Sequence, residues 1–91
     1  MIKPILEFLV RELVDDPEKV VVCELGAVDK TTYEIIVADD DIGKVVGKQG
    51  RIARAIRVLV KGLAGGDPHD INVVVLGDRR RRRHVAQGVR T

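Results

Sequence analysis

Gly47 and Gly50, separated only by Lys48 and Gln49, restrict this chain more than any other feature. They lie in the run Ile42-Gly43-Lys44-Val45-Val46-Gly47-Lys48-Gln49-Gly50-Arg51-Ile52. That run reads as a short amphipathic segment, a four-residue turn with glycine at both ends, and the start of a longer helix. A glycine-hinged turn feeding a helix N-terminus presents backbone N–H groups to an incoming anion. Every charged side chain from Lys44 to Lys61 is basic: Lys44, Lys48, Arg51, Arg54, Arg57 and Lys61. With positive charge on both flanks, the anion this pattern indicates is a nucleic-acid backbone.

The segments around the turn have legible periods. Residues 4–14 read as a helix: Pro4 suits a first helical turn, Ile5, Leu6, Leu9 and Leu13 recur at helical spacing, and Glu7 and Arg11 form an i,i+4 pair. Asp15-Asp16-Pro17 stops it, because a residue before proline is pushed out of the α region. Residues 20–25 and 32–38 read as two strands around a turn at 26–30, a hairpin whose better-buried face carries Tyr33, Ile35 and Val37. Asp39, Asp40 and Asp41 are expected to cap the next helix and to favour its dipole. Three consecutive carboxylates do not converge on one centre, so metal binding is not inferred.

After the glycine turn, Ile52, Ile56, Leu59, Val60 and Leu63 make one apolar stripe. At ~100° per residue, Arg54, Arg57 and Lys61 fall on the opposite side, with Arg51 beside them at the loop end. Gly65-Gly66-Asp67-Pro68 ends this helix, and residues 71–76 read as a third, well-buried strand. The order is α-β-β-α-α-β, an α+β domain with a three-stranded sheet packed on helices.

Ninety-one residues make one domain, here residues 1–77, followed by an arginine-rich tail at 78–91. The tail holds Arg79, Arg80, Arg81, Arg82 and Arg83 with few apolar residues, and is expected to stay flexible and basic. It has two readings, a solvated tail or a non-specific electrostatic anchor for RNA. The net charge of +2 conceals a segregation: −7 over residues 1–41, +4 over 42–76 and +5 over 77–91. One face of such a domain repels polyanions and another attracts them. No apolar run approaches the ~18 residues of a membrane span. Glu7 and Glu12 interrupt any secretory-signal pattern, so a cytoplasmic location is expected. Cys23, the single cysteine, reads as a small buried hydrophobe in a strand.

Catalysis finds little support. There is no serine, and His69 and His84 lack acid–base or nucleophilic partners in the pattern. No cysteine–histidine spacing suits zinc, and no metal or cofactor is implied. A Walker-type phosphate loop fails too: Gly43 and Gly47 enclose three residues instead of four, and Gln49 stands where serine or threonine belongs.

The helix–turn–helix run from Ile42 to Arg57, set in this element order, resembles a type II KH domain over residues 3–76. More narrowly it is similar to the small, single-domain bacterial KH proteins of the KhpA type. The resemblance implies single-stranded RNA binding, the Gly47-Lys48-Gln49-Gly50 loop clamping about four nucleotides of backbone. It implies a site of Ile42, Gly43, Lys44, Val46, Gly47, Lys48, Gln49, Gly50, Arg51, Arg54 and Arg57, with the bases in an apolar groove walled by Ile42, Val45, Val46 and the second strand. It also implies an RNA chaperone or post-transcriptional regulator linked to cell-envelope growth and cell length, acting as a homodimer or paired with a larger Jag/KhpB-like RNA-binding protein. The helix beginning at Arg51 is then a contact surface that competes with RNA. Ala53 departs from the branched aliphatic residue that many KH domains place three positions after the second glycine, so base preference does not transfer. The only aromatics, Phe8 and Tyr33, argue against a base-stacking platform; both are expected to pack, Tyr33 with its hydroxyl at the rim. A protein-interaction module with little RNA affinity is the alternative reading, and a tight helix–helix turn beside an ordinary solvated face is the plainest.

Overall fold

The computed structural model describes residues 2–65 and 70–79. Helix α1 (Ile2–Leu13) leads through a single 3-10 turn (Pro17–Lys19) into strands β1 (Val21–Gly26) and β2 (Lys30–Val37). A second 3-10 turn (Asp39–Asp41) opens helix α2 (Ile42–Val46). The glycine hinge then leads into helix α3 (Arg51–Leu63), and strand β3 (Asp70–Gly77) follows. This is the anticipated α-β-β-α-α-β order, with element ends shifted by one or two residues.

Strand β2 lies in the middle of the sheet. It pairs antiparallel with β1, Val22 opposite Ile35, and parallel with β3, Ile35 opposite Val75. A hairpin suffices for the first pairing, and an Ala27 N–H to Lys30 carbonyl bond of 2.7 Å tightens its turn. Parallel pairing needs a crossover. Here that crossover contains α2, the hinge and α3, so the candidate loop is carried on the connection that the sheet topology demands.

Because strand side chains alternate in direction, only one set of each strand can meet the helices. Val22, Tyr33, Ile35, Val37 and Ile71 do so, packed with Leu6 and Val10 of α1, Val45 of α2, and Ile56 and Val60 of α3. Full burial of a side chain such as Leu6 or Ile35 stabilises the fold by roughly 1.5–3 kcal/mol. Val45 therefore belongs to the core, which corrects the expectation that it walls the groove.

Four other expectations are corrected. Phe8 does not pack, being 65 % exposed on the outer side of α1. Residues Asn72 to Leu76 of β3 are half-buried, because β3 is an edge strand and the central place belongs to β2. Leu59, on one edge of the α3 stripe, and Leu63, at the helix end, stay partly exposed, whereas Ile56 and Val60 are buried. Cys23 is half-buried, in register with Glu34, whose neighbours Tyr33 and Ile35 supply the core-facing side chains. The expectation of a flexible tail falls, beyond Arg79, on residues outside the described ones.

Candidate nucleic-acid interface

Gly47 follows α2 with φ 78° and ψ 171°, a backbone region essentially restricted to glycine. A Cβ at Gly47 would also lie 2.6 Å from Cγ1 of Ile52. Gly50 is left-handed too, at φ 74° and ψ 16°, yet the space where its Cβ would stand is open, with only an Arg54 Nη1 atom at 4.0 Å. Between them Gln49 adopts φ 57° and ψ 24°, a left-handed conformation rare outside glycine, asparagine and aspartate. The two glycines thus serve different purposes. Gly47 lets Ile52 fold back under the hinge, and Gly50 leaves room beside a guanidinium.

The hinge consumes several of its own donors. Gly47 N–H donates to the Gly43 carbonyl at 2.9 Å, and Gly50 N–H donates to the Gly47 carbonyl at 3.1 Å. The Arg51 N–H donates to the Lys48 carbonyl. The expected row of bare amides is therefore shortened, and attraction for an anion falls more heavily on side chains.

Those side chains are available. Lys48, Gln49, Arg51, Arg54 and Arg57 are all exposed, and among the described residues none of the four cations is in an ion pair. Arg51, Arg54 and Arg57 recur every third residue along α3, so they form one broad arc on its outer side. Ile42 and Val46 are half-buried on α2, and Gly43 is exposed with open space about it. The loop, α2 and the first two turns of α3 thereby place the sequence-inferred residues next to one another.

Lys44 differs from the rest. Its ammonium lies 3.1 Å from Oδ2 of Asp15 and 3.7 Å from Oδ1 of Asp41. The hydrogen bond to Asp15 and that carboxylate's charge raise the Lys44 pKa above the ordinary lysine value. Arg79 is likewise paired, its Nε 3.6 Å from Oδ2 of Asp39 and its N–H donating to Oδ1 of the same residue. Arg80, Arg81, Arg82 and Arg83 lie outside the described residues.

The aspartate triplet does not cap α2 with side-chain bonds, contrary to expectation. Asp41, 2 % exposed, instead accepts a 3.0 Å hydrogen bond from the Asp16 N–H, fastening the loop after α1 to the start of α2. Sequence reasoning missed this tether because its two ends are 25 residues apart. It also missed Gly77, where a Cβ would collide with the Asp39 carboxylate. The signal that could have found both was the acidic triplet itself, with more carboxylates than one helix end can use.

Comparison with known proteins identifies the family of the fold. The family model described as "KhpA/KhpB, KH domain" matches residues 3–75. The chain is 38 % identical over 77 residues to a Chlamydia trachomatis protein named RNA-binding protein KhpA, covering 85 % of this chain and 99 % of that one. A Thermotoga maritima protein of the same name is 39 % identical over 74 residues, 81 % of this chain and 97 % of the relative. One from Clostridium acetobutylicum is 47 % identical over 62 residues, 68 % and 83 % of the two chains. A family match across nearly the whole described fold, together with relatives 38 % to 47 % identical over most of the chain, makes the chain a member of the KhpA/KhpB family of KH domains.

Proposed function

We propose that this protein binds single-stranded RNA, gripping its backbone at the Gly47-Lys48-Gln49-Gly50 loop. Family membership supports the reading, as do relatives that carry RNA-binding in their names. One observation carries it: Lys48, Arg51, Arg54 and Arg57 are exposed and unneutralised by carboxylates among the described residues, beside open space at Gly50. Phosphates approach that space, Lys48 and the α3 arginines supply charge, and Gln49 supplies a hydrogen bond. Ile42 and Val46 border the bases. The role that follows is that of a cytoplasmic RNA chaperone or post-transcriptional regulator, with effects on the cell envelope and cell length.

Replacing Lys48 and Gln49 together by Asp tests the grip. The fold should persist by circular dichroism, since both side chains are exposed and neither is in the core. Affinity for a short unstructured RNA should fall at least tenfold, and unchanged affinity in a folded protein would discard the clamp. For three to four phosphates, log affinity of the wild type should fall against log salt with a slope near −2 to −3.

A second reading rests on a separate observation. Val58 is 70 % exposed within the cationic arc, and Leu59 and Leu63 of the apolar stripe also remain partly exposed. Aliphatic surface on that helix suits pairing with a second copy or with a Jag/KhpB-like partner. Two short grooves would then act together and raise avidity. Sedimentation of the intact chain with and without RNA separates the cases: two grooves acting together predict a dimer that persists on RNA addition, whereas a helix contested by partner and RNA predicts dissociation.

A further inference from the structure

Lys44 stands on α2, one turn before Gly47. Its two carboxylate partners are unlike. Asp41 is buried, and its Oδ2 is already occupied by the Asp16 N–H, so this carboxylate is held in place. Asp15 is the nearer at 3.1 Å, but its side chain is 80 % exposed. It can be exchanged without opening the core. Lys44 is itself 45 % exposed and remains reachable from solvent.

We propose that Asp15 is a built-in competitor of the RNA backbone: it occupies the Lys44 ammonium in the free protein and gives way to a phosphate when a strand binds. The inference rests on the RNA-binding reading above and deepens it. Asp41 keeps the ammonium aimed while its second partner changes. Binding through Lys44 then yields less net gain than binding through Lys48, because the released Asp15 carboxylate recovers its own counterions. Asp15 therefore restrains affinity, by the same factor for every strand that engages Lys44.

The test is a double-mutant cycle on the full chain, with an unstructured RNA oligonucleotide as probe, comparing wild type, Asp15→Asn, Lys44→Met and the double variant. Asp15→Asn should tighten binding by roughly two- to fivefold at low salt, the scale of an exposed ion pair. Its salt slope should steepen by up to about 0.7, one additional net counterion. Both gains should disappear in the Lys44→Met background. An equal gain in that background would overturn the proposal, since Asp15 would then act by general repulsion. Weaker binding by Asp15→Asn would overturn it as well, because the ion pair would be positioning α2. Failure of the RNA-binding reading has another signature: wild type and the Lys48→Asp/Gln49→Asp protein bind equally weakly, and no change at Asp15 or Lys44 moves either, which discards both ideas. Circular dichroism of each variant confirms that the fold is retained.

Discussion

At Gly47 two demands fall on one residue, a backbone conformation closed to side chains and a contact surface already taken by Ile52. Gly50 carries only the first, and in the milder left-handed region. Gly47→Ala should therefore lower stability by roughly 1–3 kcal/mol from the backbone alone, with a further loss from the displaced Ile52. Gly50→Ala should cost roughly 1–2 kcal/mol. Urea unfolding of the two variants checks the order, and equal losses would mean that the Ile52 contact is unimportant. The sequence marked both glycines as a pair serving close phosphate approach. That purpose suits Gly50, where the space is open. It could not reveal Gly47's debt to Ile52, because a contact five residues along depends on how sharply the hinge turns.

Among the elements, β3 ends where the Asp39–Asp41 turn begins to pack on it, and Gly77 is the point of closest approach. Gly77→Ala should cost roughly 1–3 kcal/mol as overpacking, read from the urea midpoint. A loss below the error of measurement would show that Asp39 swings aside freely. Element order was readable from period, and so were the helix faces in part: Leu6, Ile56 and Val60 were marked by helical spacing and are buried, whereas Val10, also buried, was passed over for Ile5, Leu9 and Leu13, which are only half-buried. The places of strands within the sheet were not. Residues 71–76 are apolar apart from Asn72, which suggested a well-buried strand, yet β3 lies at an edge and β2, with Thr32 and Glu34 interspersed, lies in the centre. Local composition reports how apolar a strand is; topology decides what covers it. The same limit applies to Asp41, whose partner at Asp16 belongs to a different element.

Taken whole, the molecule segregates charge, with acidic residues concentrated before α2 and cations after it, and this shapes its response to pH and to polyanions. Burial, then the charge of Glu24 and a hydrogen bond to it, raise the Tyr33 pKa above its ordinary 10.0. Lys44 shifts upward as well. In both cases the folded state holds its proton more tightly than the unfolded chain does. Their contributions are therefore complete below the unfolded values and are lost as pH rises through the folded ones. Stability should decline above about pH 10, and Tyr33→Phe should flatten part of that decline in urea midpoints measured across the range. An unaltered profile would show that Tyr33 titrates alike in both states. The tuck of Ile52 beneath Gly47 has an effect at this scale too. On the proposed reading it gives the grip a backbone jaw shaped before any strand arrives, so that the entropy lost on association falls on the nucleic acid and on the exposed Lys48 and arginine side chains, not on the hinge. Strands already ordered by their own stacking should, on that account, be held in preference to limp ones of equal charge.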